Sequence, residues 1–142
     1  MFFIGRGIDY SACVEGSLKL KEVSYIHSEA YSAGELKHGT LALVTDKTPV
    51  ISICTDEKFY GKMLSNVREV SARKGRVIIV GSKGFVKYCD ECDAFFEVPN
   101  CESILSPFLS VVSAQLLAYN VAIMRECDVD HPRNLAKSVT VE

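Results

Sequence analysis

Four short apolar runs constrain this chain more than any other feature: Phe2 to Ile4, Val50 to Cys54, Arg76 to Val80 and Ala94 to Val98. Each is bounded by turn residues and is continuous rather than alternating, the pattern of strands covered on both faces. Helical patterns separate most of them, over about 10–26, 57–74 and 103–125. Crossovers of that length join parallel strands, so the expected fold is a three-layer α/β/α sandwich with a parallel sheet of four or five strands. Thr55-Asp56-Glu57 supplies an N-cap for the second helix, and Lys74-Gly75 supplies a terminal cation and a permissive glycine. From Asp128 onward no period survives.

A chain of 142 residues with 48% apolar and 24% charged residues holds one core and not two. Sixteen Lys and Arg against 18 Asp and Glu leave a net charge of -2 with no basic cluster, which argues against nucleic acid as a partner. The six cysteines follow an opening MFFIGRG that lacks a basic n-region and a cleavage site. A reducing cytoplasm is therefore expected, and a disulfide framework is not. The run from Ile104 to Met124 approaches the length of a membrane span, but Pro107, Ser110, Ser113, Gln115 and Asn120 interrupt it. It reads as a buried or interface helix, with no membrane. Because the chain starts almost directly on a strand, a fragment of a larger protein is expected.

The first helix carries an unusual set of charges. At about 100° per residue, Glu15, Lys19 and Glu22 fall within roughly 60° on one stripe. Val14, Leu18 and Tyr25 flank that stripe on one side and Ala12, Leu20 and Val23 on the other, while Ser17, Lys21 and Ser24 form a separate polar face. An ordinary ion-pair ladder would explain the trio, at a few tenths of a kcal/mol per pair. A carboxylate held between an apolar wall and a lysine is also what proton transfer at a carbon acid needs. His38 lies in Gly34-Glu35-Leu36-Lys37-His38-Gly39, where flanking glycines permit close approach to a ligand or neighbouring subunit.

Three other signals carry less. Gly5-Arg6-Gly7 does not convincingly place the third glycine and the acidic residue of a dinucleotide fingerprint and reads as a tight turn. Cys89-Asp90-Glu91-Cys92 with Cys101 lacks a second ligand pair for zinc, so no metal is expected. Ser103, Ser106, Ser110 and Ser113 at helical spacing read as a small-residue packing face, directed at a domain outside the chain.

EGSLKLKEVSYIHSEAYSAGELKHGTLALV together with DVDHPRNLAKSVTVE resembles the C-terminal part of the glutamine–fructose-6-phosphate aminotransferase (glucosamine-6-phosphate synthase) family, over essentially the whole chain. GELKHG and PRNLAKSVTVE carry the resemblance, and the strands are generic. It implies a second sugar-isomerase (SIS) domain over residues 1–127 and a catalytic tail over 128–142, with the glutaminase and first SIS domains lying elsewhere. Family enzymes turn fructose 6-phosphate and glutamine into glucosamine 6-phosphate and glutamate, as homodimers without a cofactor. By that resemblance Glu22 moves a proton between C1 and C2 of the open-chain sugar, and Lys19 stabilises the developing enolamine charge. Glu15 organises Lys19, His38 from the neighbouring subunit assists ring opening, Lys137 forms a Schiff base with the sugar carbonyl, and Glu15 and Ala136 contact the substrate. Leu135, Ala136 and Val139 help to desolvate the Lys137 amine.

Two departures stand out. His131 precedes Pro132 where the family commonly has glutamine, and no Ser/Thr-rich phosphate cradle is visible. The chain alone is therefore expected to be inactive. The rival reading is a noncatalytic phosphosugar-binding SIS module of a regulator, which needs affinity but neither a base nor an amine. An oligomerisation piece without sugar contact is the third.

Overall fold

The computed structural model of the chain describes residues 1–87, 90 and 92–133. In chain order the elements are β1 (Phe2–Gly5), α1 (Asp9–Ser24), β2 (Glu29–Ser32), β3 (Pro49–Cys54), α2 (Tyr60–Ser71), β4 (Arg76–Ser82), α3 (Lys83–Val86), β5 (Ala94–Val98) and α4 (Ser106–Met124). The five strands form one parallel sheet in the order β2-β1-β3-β4-β5. The four expected strands are present, and β2 is added at the edge. Its sequence, EAYS, has no apolar run and is half-buried, so hydrophobic patterning does not mark it.

Alternate residues of each strand feed two cores. Phe3, Ile51, Ile53 and Val80 pack with Ala12, Cys13, Leu20 and Ala118 beneath α1 and α4. Phe2, Ile4, Val50, Val77 and Ile79 pack with Met63, Val67 and Val70 of α2 and with Leu36, Leu41 and Val44 from the turns that connect β2 to β3. Both faces are covered, which is why the strand runs are continuous in apolar character.

The second helix starts with the expected device and ends with a different one. The left-handed residue after α2 is Lys74 (φ 61), not Gly75. Gly75 is required for space: a Cβ there would lie 2.7 Å from Val70 Cγ1 and 2.8 Å from Val44 Cγ1. Asp56 caps the turn before α2 by accepting from the Lys58 amide at 3.0 Å. Asp9, buried at the start of α1, ties α1 to the end of β3: its carboxylate accepts from Thr55 N at 2.8 Å and Thr55 Oγ1 at 2.5 Å.

The polar face assigned to α1 is a correction. Ser17 and Ser24 are buried, Ser17 Oγ lying 3.1 Å from Ser28 Oγ and Ser24 Oγ donating to the Leu20 carbonyl at 2.6 Å. Both hydroxyls have partners, Ser24 within α1 and Ser17 from beyond it, so they sit inside, whereas Val14 (46%) and Leu18 (41%) are exposed. Of the four serines read as one stripe, Ser106 and Ser110 are likewise turned inward, whereas Ser113 is half-buried and Ser103 is exposed ahead of α4. Ser106, Ser110, Ala114, Ala118 and Ala122 form its buried side, packed on α1 of the same domain rather than kept for another one. By length and composition α4 is apolar enough to cross a membrane, yet this side of it is the α1 contact.

Gly16 sets how closely α1 and α4 approach. A Cβ there would lie 2.9 Å from Ala114 Cβ and 2.9 Å from Phe3 Cε1. Phe3 is fully buried and Ala114 has no rotamer to change, so neither neighbour can yield. Gly16→Ala should therefore lower stability by about 1–3 kcal/mol through overpacking, outweighing a gain of about 1 kcal/mol in helix propensity. A denaturant melt showing the variant at or above wild-type stability would contradict this. Asp9→Ala should cost about 3 kcal/mol, because it leaves the Thr55 donors without their charged acceptor; thermal unfolding within a degree of wild type would show the tie to be dispensable.

Candidate functional site

The trio on α1 assembles as its spacing requires. Lys19 Nζ lies 2.9 Å from Glu22 Oε2 and 3.5 Å from Glu15 Oε1, so one ammonium bridges two carboxylates on successive turns. All three side chains remain partly exposed. The Glu22 hydrogen bond is the main reason that the Lys19 pKa is raised above its ordinary value, with slight desolvation opposing it and Glu15 adding to it. Lys19 is thus a fixed cation at neutral pH.

Two members of the trio, Glu15 and Lys19, border a groove between α1 and α4. Glu15 lines an open apolar hollow of about 530 Å³ with Ala12, Pro107, Phe108 and Val112. Lys19 lines one of about 220 Å³ with Val23, Ala118, Tyr119, Val129 and Asp130. The groove walls are unusually apolar for a surface: Phe108 is 70% exposed and Val112 52%.

His38 is exposed on a short 3₁₀ turn, Leu36–His38, beyond the edge strand β2. No hydrogen bond or ion pair joins it to Glu15, Lys19 or Glu22, so the structure does not bring it to the trio within one chain. Its turn is held from below. Leu36 is fully buried, and the close approach that Gly34 permits is to Arg6 of the same chain, whose guanidinium would lie 3.1 Å from a Cβ at that position. Arg6 in turn donates from Nε and Nη2 to Asn66 Oδ1 at 3.2 and 3.1 Å. Gly39 serves the backbone instead, with φ 149 and open space around it. Arg6 was missed by the sequence reading because its role depends on β1, α2 and the 34–39 turn meeting in space. Lys137 and Ala136 lie outside the described residues, as does Cys89 of the CxxC motif.

In a sheet of this order the ligand crevice opens at the carboxyl ends of β1 and β3. Here Asp9 fills that position and takes the Thr55 amide and hydroxyl, and its negative charge opposes an anion. A neighbouring hollow of about 240 Å³ at the ends of β3 to β5 carries Asp56 and Glu57 as well as Thr55, Ser82 and Ser106. Its carboxylates make it a poor phosphate cradle.

The SIS domain family model matches residues 1–125. The glutamine–fructose-6-phosphate aminotransferase (isomerizing) of Caldanaerobacter subterraneus is 55% identical over all 142 residues, and that of Clostridium acetobutylicum 51%. This chain spans 23% of the length of each of those relatives. Among solved structures, the C-terminal domain of the Francisella tularensis glucosamine-fructose-6-phosphate aminotransferase superposes with a TM-score of 0.87 at 41% identity, over 92% of this chain and 37% of that one. A Thermotoga maritima glucosamine-6-phosphate deaminase gives 0.76 at 30% identity, over 97% of this chain and 39% of that one. With its parallel five-stranded sheet and helices on both faces, the chain belongs to the SIS domain family.

Proposed function

We propose that this chain is the second SIS domain and catalytic tail of a glutamine–fructose-6-phosphate aminotransferase, and that its α1 trio performs the isomerisation step. The observation that carries the reading is the Lys19 bridge between Glu15 and Glu22 at the rim of an open apolar groove. An exposed ladder of this kind contributes about 0.3–0.5 kcal/mol per pair, which is little reason to place it there. A chemical role fits better.

In the proposed reaction the Lys137 amine condenses with the sugar carbonyl at C2, water leaving as the imine forms. Glutamine-derived ammonia takes the place of the lysine at C2 and frees it. Glu22 accepts a proton from C1 and returns it to C2, so that the ketose skeleton becomes an aldose. Lys19, kept protonated by its two carboxylates, offsets the charge that develops between those steps. His38, absent from the trio, acts from the neighbouring subunit on the closed sugar ring. The closed crevice at Asp9 supports a phosphate clamp supplied by the first SIS domain. The exposed apolar groove beside the trio supports the same arrangement, since a covering domain would seal the site from water.

A regulatory phosphosugar-binding module is the second reading. The bridge favours the enzyme over it, because binding alone requires no carboxylate poised on a fixed ammonium.

In the full-length protein, Glu22→Gln and Lys137→Arg should each reduce glucosamine 6-phosphate formation by at least about 100-fold. Turnover close to wild type in both would leave the trio without a catalytic role. A second expectation concerns charge. The raised Lys19 pKa means that the trio's stabilising interaction is complete below the ordinary value of 10.5 and is lost as pH climbs through the higher folded-state value. Nitrogen-detected NMR of Lys19 Nζ should therefore show an inflection above 10.5 that moves down in Glu22→Gln. An inflection that ignores the substitution would remove Glu22 as the cause.

A further inference from the structure

The chain that follows α4 is tied back to the end of α1. At the end of α4 the Cys127 amide donates to the Ala122 carbonyl at 2.9 Å, with Glu126 left-handed at φ 56. Asp128 then holds the next turn, its Oδ1 accepting from the Asp130 and His131 amides, each at 3.0 Å. Its Oδ2 lies 3.3 Å from His131 Nδ1, so the histidine before Pro132 closes this turn rather than disturbing it. The His131 amide bond, more than any other contact, lowers the Asp128 pKa, and the turn stays closed at neutral pH.

From there the segment runs alongside the trio. Val129 and Asp130 face Lys19 and Val23 across the hollow of about 220 Å³. Arg133 then reaches Tyr25: its backbone amide donates to the Tyr25 hydroxyl at 2.9 Å, and its guanidinium carbon lies 4.4 Å from the ring centroid. Tyr25 caps α1 in the left-handed conformation, φ 58, three residues beyond Glu22.

We propose that Tyr25 is a positioning residue, stapling the tail that carries Lys137 to the Glu22 end of α1. The proposal rests on the reading of Lys137 as the imine-forming lysine. Lys137 lies four positions after Arg133, so with Arg133 held at Tyr25 the Lys137 Cα stays within about 14 Å of that anchor. That leash is short enough to hold the amine over the sugar that Glu22 serves. Both contacts involve one tyrosine, one through its hydroxyl and one through its ring face, so they separate by substitution. Tyr25→Phe removes the hydrogen bond and keeps the ring, while Tyr25→Leu removes both.

The first measurement is hydrogen exchange of the Arg133 amide in this chain. Tyr25→Leu should speed it about tenfold, with Tyr25→Phe between the two. Unchanged exchange in Tyr25→Leu overturns the staple. The second, in the full-length protein, is borohydride trapping of fructose 6-phosphate together with kcat and KM. Trapping and kcat should fall in the same order while KM holds. Faster exchange with wild-type trapping overturns the positioning role but leaves Lys137 itself standing, which Lys137→Arg tests separately. Arg133→Ala alters an exposed side chain away from both cores, and it should reproduce the loss of trapping. If Tyr25→Leu alone impairs trapping, general damage to α1 is the cause and the proposal fails.

Discussion

At Gly16 the space between α1, α4 and the sheet shrinks to less than a methyl group, with Ala114 Cβ and Phe3 Cε1 both 2.9 Å from where a Cβ would sit. The orientation of α1 follows from this contact. With Gly16, Ala12, Cys13 and Leu20 turned to the interior, the stripe at Glu15, Lys19 and Glu22 is set at the edge of the α1–α4 groove. The small-residue side of α4, repeating every four positions from Ser106 to Ala122, is the matching half. Small residues on both helices bring their backbones close, and the large side chains of α4 are consequently displaced to the outside.

That displacement explains an otherwise costly surface. Phe108, Val112, Leu116, Tyr119 and Ile123 are all exposed on a helix whose opposite side is already packed. A helix apolar all round is normally buried all round. Whatever covers this face also closes the groove beside the trio, and excluding water there strengthens every charge interaction at Glu22 and Lys19. In the proposed enzyme, stability of the assembly and chemistry at the site would draw on the same contact. In the proposed reading the Asp9 tie belongs to the same division of labour, with the phosphate clamp on the other domain.

The parts of this arrangement legible in the sequence are those set by local period. β1, β3, β4 and β5 announce themselves by continuous apolar runs, and the trio by its spacing of four and three. β2 does not, because a half-buried edge strand of four residues needs no apolar run. The serines of α1 mislead for another reason: whether a hydroxyl faces water depends on an acceptor brought by a different segment, here Ser28 for Ser17. Arg6 and Tyr25 are invisible for the same cause, their partners being 60 and 108 residues away in the chain. His38 and the lysine of the tail gain meaning only through family resemblance.

The two lysines of the proposed site have opposite requirements, and the fold treats them differently. An amine that forms an imine must surrender its proton near neutral pH, which calls for desolvation or a neighbouring cation. Lys19 is placed between two carboxylates and is little buried, so its pKa is driven upward and it stays charged. It is unsuited to nucleophilic attack and suited to offsetting charge on the sugar. Its ammonium does not activate a second amine by charge, because the carboxylates of Glu15 and Glu22 outweigh it. A tail lysine delivered to the Glu22 end of α1 would therefore depend on desolvation, the other route to a lowered pKa, to become a nucleophile there. In the proposed site that desolvation would come with docking of the tail, and the contact between Tyr25 and Arg133 would then bear on chemistry as well as on packing.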